Sequence, residues 1–141
     1  MMNVRSIQLA DYRSIKELFE EVLSEEACEQ TLVAFSRQLG WDSDLVIVAE
    51  ADEQIVGVII GTIDNNKGYY YRIAIAQNYQ QQGIDKELVH ALKQRFDQKK
   101  VSKIYVTADE YNEPIFKLFE SLGFATTDFI RSFQKLSIVS G

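Results

Sequence analysis

Hydrophobic and polar positions follow two different periods along this chain, and the change of period divides it. Val4, Ile7 and Leu9 suggest a short first strand. Asp11 is a residue type favoured at helix N-caps. After it, Ile15, Leu18, Phe19, Val22 and Leu23 recur at helical spacing. A second helical stretch carries Cys28, Leu32, Phe35 and Leu39, and Gly40 stands where such a helix can end. Cys28 on that face reads as a small buried hydrophobe. From Leu45 the pattern turns strand-like. Residues 45–49 are rich in β-branched side chains, Asp52-Glu53 makes a polar turn, and residues 55–63 form a second strand. Residues 64–68 carry turn chemistry and lead into a third strand over 69–76. These strands are apolar on both faces, which predicts a sheet covered on both sides.

The helical period returns once, at Ile84, Leu88, Ala91, Leu92 and Phe96. A strand over 103–107 follows. Asn112 can cap a last helix with Pro114 in its first turn, an apolar face of Ile115, Leu118, Phe119 and Leu122, and Gly123 just past its end. Residues 124–139 carry one or two further strands. The predicted order is β-α-α-β-β-β-α-β-α-β, an α/β fold with a mixed sheet and helices on both faces. No linker or repeat interrupts residues 1–141, so one domain is expected.

The segment with the most chemistry is residues 73–89, a strand running into a polar loop and straight into an amphipathic helix. The first N–H groups of a helix have no intrahelical partner and lie at the positive end of its dipole, so they can hold phosphate. Gly83 removes a side chain where a phosphate would approach the backbone. An ordinary loop opening an ordinary helix would look the same on this feature alone.

The surrounding residues resemble the acetyl-CoA-binding motif of the GNAT acyltransferase superfamily, whose core is Gln/Arg-x-x-Gly-x-Gly/Ala after a strand ending in small and aliphatic residues. Gln80 and Gly83 match the first two fixed positions, and Ile73-Ala74-Ile75 matches the strand. Tyr79, Leu88 and Val89 stand at the family's aromatic and aliphatic positions. Asn112 and Phe119-Glu120-Ser121-Leu122-Gly123-Phe124 resemble its closing helix and the strand after it. The resemblance implies a GNAT-like fold and acetyl-CoA as co-substrate. It implies that backbone N–H groups of Gln82, Gly83, Asp85 and Lys86 face the pyrophosphate. Backbone near Ala74 and Ile75 would meet the pantetheine arm and thioester, and Asn112 would hydrogen-bond the arm.

Two residues depart from the family pattern. Asp85 stands where a third small residue is usual. At a separation of about 5 Å and an effective dielectric near 20, a carboxylate beside a phosphate costs on the order of 3 kcal/mol, roughly a hundredfold in affinity. That falls if Asp85 points to solvent or Lys86 pairs with the phosphates. Without ligand, an acid in the first turn simply stabilises the helix start. Phe119 stands where family members often place a tyrosine as general acid, and it has no proton to give. Such help is worth about 10²–10⁴-fold, so a slower enzyme is expected rather than none. Tyr111 can substitute as the acid. Phe119 itself reads as core. For a general base, Asp64, Glu50 or water is available and none stands out. His90, the one histidine, lies off the apolar stripe of its helix and reads as solvent-facing. Tyr69, Tyr70 and Tyr71 divide between core packing and an acceptor cleft.

Charge and composition narrow the partners. A net charge of −6 disfavours nucleic acid and anionic membranes. No apolar run approaches the roughly 20 residues of a membrane span, and residues 1–10 show no leader pattern. One cysteine permits no internal disulfide and fits a cytoplasmic setting. There is no metal-ligand spacing. The expectation is an acetyl-CoA-dependent N-acetyltransferase acting on a small-molecule or peptide amine. A homodimer is compatible with it. Asp85 and Phe119 motivate the alternative, a weak or inactive relative that binds CoA as a sensor or interaction module.

Overall fold

The computed structural model describes residues 2–107 and 116–130. In chain order its elements are β1 (Met2–Ser6), α1 (Tyr12–Val22), α2 (Glu25–Trp41), β2 (Val46–Ala51), β3 (Gln54–Asp64) and β4 (Lys67–Ile75). They continue with α3 (Ile84–Gln98), β5 (Lys103–Thr107), α4 (Phe116–Ser121) and β6 (Phe129–Ile130). This is the predicted order. The six strands lie side by side in sequence order. β1 to β4 pair antiparallel, and β4–β5 and β5–β6 pair parallel. Asp52-Glu53 and Asn65-Asn66 join β2 to β3 and β3 to β4, all four at positive φ. That is the backbone of tight two-residue hairpin turns, whose twist matches the flanking strands.

The double-sided apolar pattern does produce a covered sheet. One face carries α1 and α2, with Ile15, Phe19 and Phe35 packed on Val46, Val48, Val58 and Ile60. The other carries α3 and α4, with Leu88, Leu92, Phe96 and Phe119 packed on Ile47, Ile59 and Tyr70. Among the described residues no helix is long and apolar enough to cross a membrane.

α3 seats unusually close because three glycines lie beneath it. A Cβ on Gly57 would stand 3.2 Å from side-chain carbons of Ile84 and Leu88, one on Gly61 2.8 Å from Leu92, and one on Gly68 2.9 Å from the Phe96 ring. The helix runs along this track with Ile84 and Leu88 over Gly57, Leu92 and Phe96 over Gly61, and Phe96 again over Gly68.

Several details differ from the reading of the pattern. The first strand ends at Ser6, and Leu9 lies in a single helical turn at 94% exposure. Asp11 does not cap α1 with its side chain. Its carboxylate accepts from the Gln8 N–H at 2.8 Å and from the Arg5 guanidinium at 2.7 and 3.1 Å, closing the turn ahead of the helix instead. Gly40 does not end α2, because it takes helical geometry. The stop comes two residues later at Asp42, whose backbone is extended and whose carbonyl accepts from the Gln38 side chain at 2.9 Å. The buried face of α2 is Cys28, Thr31, Phe35 and Gln38, with Leu32 and Leu39 only half-buried. α2 packs mainly on α1, which rotates two polar residues inward. On α3, Val89 is fully buried and Ala91 is at the margin.

Two outcomes follow from this packing. Gly68→Ala should lower stability by about 1–3 kcal/mol, the usual range for overpacking, read as a drop in thermal midpoint. An unchanged midpoint would mean α3 can lift freely. The Arg5 guanidinium, with the Gln8 N–H, holds the Asp11 carboxyl below its ordinary range against the opposing effect of burial. A lowered folded-state pKa gives stability that is complete above the ordinary carboxylate pKa of about 4 and lost as pH falls through the folded value. Asp11→Asn should therefore lower stability at pH 7 by about 1.5–3 kcal/mol and flatten the acid limb of a stability–pH profile. An acid limb of unchanged slope would remove Asp11 from that role.

Candidate active site

The site begins where two strands part. β4 and β5 pair from Lys67↔Lys103 to Tyr70↔Val106, and the ladder stops there. β4 runs on to Ile75. At the same level its pairing with β3 slips: Tyr70 faces Gly61 while Arg72 faces Ile60, so Tyr71 is an extra, bulged residue. The Thr107 hydroxyl, at the end of β5, lies 3.0 Å from the Tyr70 carbonyl oxygen and 2.6 Å from that of Tyr71.

Beyond the bulge the direction of each peptide group follows from alternation. The Ala76 N–H donates to the Val56 carbonyl at 2.8 Å, which makes Ala76 a residue bonded to β3. Antiparallel pairs alternate between bonded and non-bonded, so Ala74 and Arg72 also turn their N–H and C=O to β3. Ile73 and Ile75 turn theirs the other way, to the side β5 has left. The Ile75 carbonyl accepts from the Gln80 side-chain amide at 3.2 Å. Ala74 offers no free peptide group there. Its small side chain is buried against α1 and α2.

The chain then makes a helical turn, Gln77–Tyr79, tied down from two directions. The Gln77 N–H donates to Glu21 at 2.9 Å, and the Tyr79 hydroxyl donates to Asp52 at 3.1 Å. That bond to a carboxylate raises the Tyr79 phenol pKa. Gln82 donates from its side chain to the Asn78 carbonyl at 3.2 Å. Gln81 and Gly83 both sit at positive φ, 63° and 83°. Gly83 is the N-cap of α3, and the first intrahelical bond reaches it from the Glu87 N–H at 3.2 Å. The N–H groups of Ile84, Asp85 and Lys86 therefore have no partner within the helix. A Cβ on Gly83 would meet no protein atom within 4 Å, so the space before the helix is open. Its left-handed backbone is what asks for glycine. Asp85 is half-buried in the first turn, and Lys86 is exposed.

The remaining candidates separate cleanly. Phe119 is 1% exposed, with ring centroids of Tyr70 and Phe124 at 5.0 and 5.6 Å, so it is core. Tyr70 is buried and donates its hydroxyl to the Val89 carbonyl at 3.2 Å, and burial pushes its phenol pKa far up. Tyr69 stacks on Tyr105 with centroids 5.5 Å apart. Tyr71 faces the α1–α2 side, and the Arg72 guanidinium stands 5.4 Å over its ring. His90 is exposed, and Cys28 is buried. Glu50 is engaged by Arg5 at 3.4 Å. Asp64 pairs in register with Lys67, at the end of β4 away from α3's N-terminus. Tyr111 and Asn112 lie outside the described residues. Ile73 and Thr107 escaped the sequence reading, since no side-chain pattern marks a bulge or the last rung of a ladder.

Electrostatics separates the two sides of this β4 end. A groove of about 420 Å³ beside α1 is lined by Asp11, Glu17, Glu21, Glu50 and Glu53, with no Lys or Arg in its lining. It repels phosphate. The positive end of the α3 dipole lies on the opposite face of the sheet and attracts it.

Comparison with known proteins agrees with this geometry. A family model described as an acetyltransferase (GNAT) domain matches residues 8–140. An acetyltransferase of Pectobacterium atrosepticum is 25% identical over 135 residues, 96% of each chain. The PaiA N-acetyltransferase of Thermoplasma acidophilum, solved in complex with coenzyme A, shares the fold. Its TM-score is 0.69 at 20% identity, over 89% of this chain and 90% of that one. The diaminobutyrate acetyltransferase EctA of Paenibacillus lautus was solved with L-2,4-diaminobutyric acid and coenzyme A. It aligns with a TM-score of 0.68 at 22% identity, over 86% of this chain and 74% of that one. With a family match running almost end to end over this arrangement of parted strands and open helix start, the chain belongs to the GNAT acetyltransferase family.

Proposed function

We propose that this acetyltransferase takes its acetyl group from acetyl-CoA and transfers it to a primary amine of a small molecule or peptide by direct attack on the thioester. The observation that carries the reading is the continuity of two features. The open peptide edge of β4 at Ile73 and Ile75 leads directly to the open N–H groups at the start of α3.

That path fits an extended amide arm ending in a pyrophosphate. The edge groups of Ile73 and Ile75 would pair with the arm as a neighbouring strand would, and Ala74 leaves the strand slender beside it. The N–H groups of Gln82, Gly83, Asp85 and Lys86 would hold the pyrophosphate. Gln80 would keep the loop closed through its bond to Ile75. The resemblance adds Asn112 on the arm, and with Phe119 unable to give a proton, Tyr111 is the candidate proton donor. When bound, acetyl-CoA supplies an activated acetyl group whose thiolate is a tolerable leaving group near neutrality. The amine nitrogen forms a bond to the acetyl carbon, the carbon–sulfur bond breaks, and the amine proton passes to a base or water while the thiolate is protonated. The protein's part is positioning, plus backbone N–H donors at the thioester oxygen. Net charge −6 and the acid-lined groove beside α1 support a cationic acceptor.

Thermal unfolding with acetyl-CoA tests the reading. Ligand at about 100 times its Kd adds roughly 2.7 kcal/mol, and each kcal/mol moves the midpoint by about 2–4 °C or somewhat more for a chain of this size. No shift at millimolar acetyl-CoA would sink it. Thiol release over a panel of primary amines then reads turnover. Asp85→Gly removes a carboxylate from the first turn of α3 and should tighten acetyl-CoA binding, by up to roughly a hundredfold if the carboxylate faces phosphate. Unchanged affinity would place that carboxylate in solvent.

A further inference from the structure

We propose that Thr107 is a positioning residue for acyl transfer: its hydroxyl holds the β4 bulge and so keeps the Ile73 N–H turned toward the reacting thioester. The inference rests on the acetyl-CoA reading above.

Thr107 is fully buried at the last position of β5. Its single hydroxyl hydrogen is within reach of two successive carbonyl oxygens, Tyr70 at 3.0 Å and Tyr71 at 2.6 Å. In a regular strand, successive carbonyls point to opposite edges. Two of them can converge on one hydroxyl here only because Tyr71 is an extra residue in the ladder with β3. The contact therefore belongs to the bulge itself.

The bulge decides which residues of β4 face the opening. With Tyr71 extra, Arg72, Ala74 and Ala76 bond to β3, and the peptide groups of Ile73 and Ile75 turn away from it, the Ile75 carbonyl accepting from Gln80. Were β4 to pair with β3 without the bulge, Tyr71 would take Ile60 and every later residue would move by one. Since the ladder has a period of two, Ile73 would then bond to β3, and Arg72 and Ala74 would face the gap. The same slip would drag the Arg72 guanidinium off the Tyr71 ring. One hydroxyl thus selects between two faces of the same strand, and only one presents the Ile73 N–H beside the point where the strands part. The pyrophosphate site is built from other residues, on α3 and the loop before it.

Thr107→Val keeps the shape and removes the donor, and Thr107→Ser keeps the donor. The direct test compares the Kd of CoA with that of acetyl-CoA, together with kcat and KM for the best amine of the panel. In Thr107→Val, CoA affinity should stay within about twofold of wild type. The affinity for acetyl-CoA relative to CoA should fall below that of wild type, and kcat should fall about 10–100-fold with little change in the amine KM. Thr107→Ser should restore all three. Where the valine variant does not fold, Thr107→Cys against Thr107→Ser makes the same comparison at equal size, because a thiol is a weak donor. Cysteine should impair kcat and serine should not. Equal kcat in the two, or a valine variant that folds and turns over normally, would overturn the proposal. So would a parallel loss of CoA and acetyl-CoA binding that serine does not rescue. If wild type binds CoA and turns over but these variants match it, only the role of Thr107 falls. If wild type binds neither ligand, the acetyl-CoA reading falls and takes this one with it.

Discussion

The close approach of α3 to the sheet is the constraint on which the rest depends. Helices normally rest on a layer of side chains. Here Gly57, Gly61 and Gly68 remove that layer along a line, and Ile84, Leu88, Leu92 and Phe96 settle into the space. The helix gains dense packing against backbone, and its axis is no longer free to slide or tilt. Ile84, the first helical residue, is among those locked over Gly57. The open N–H groups at the helix start are therefore held in place by the core rather than by the loop that precedes them. A loop with two left-handed residues, Gln81 and Gly83, can be tolerated because both of its ends are anchored.

The second organising feature is that β4 serves two roles along its length. Its first half is an ordinary interior strand, paired on both sides and carrying Tyr70 into the aromatic cluster of Phe96, Phe119 and Phe124. Among the described residues its second half is paired on one side only. The change happens within one residue, at the bulge. A rigid aromatic core directly behind the point of divergence keeps a locally irregular backbone in a single arrangement. The neighbouring acidic groove adds a field of the opposite sign to that of the helix start, so an anionic ligand is directed to one face of the sheet.

The fold was legible in the sequence because its signals are local and repeated. The strand runs are continuously apolar, the α3 stripe recurs every three or four residues, and residues 73–89 carry a motif whose spacing reflects a loop of fixed length. The errors came where a tertiary contact overrode local preference. Asp11 is a good helix cap by type, but Arg5 and the Gln8 N–H claim its carboxylate. Gly40 can end a helix, but nothing there requires a left-handed backbone. Thr31 and Gln38 are polar and yet buried, on the face α2 turns to α1 and the core. The site was legible in part. Gln80 and Gly83 mark the loop and the helix start, where Gly83 caps α3 at positive φ and Gln80 bonds the Ile75 carbonyl. The bulge at Tyr71, the outward-facing groups of Ile73 and the Thr107 hydroxyl depend on pairing between distant strands, which side-chain pattern does not encode.

The open half of β4 has a further consequence for how the protein survives in a crowded solution. Unpaired strand edges invite other chains to add on, and proteins usually blunt them with charge, proline or a covering element. Among the described residues this edge has none of those along Ile73–Ala74–Ile75. It lies inside the sheet instead, with β5 close at one end and the capped loop at the other, and Gln80 already occupies the Ile75 carbonyl. A strand from another molecule would bring side chains on both of its faces and a partner sheet behind it. A slender, side-chain-free arm brings neither. Lying between β3 and the start of β5, this edge is less accessible to an incoming strand than one at the border of a sheet.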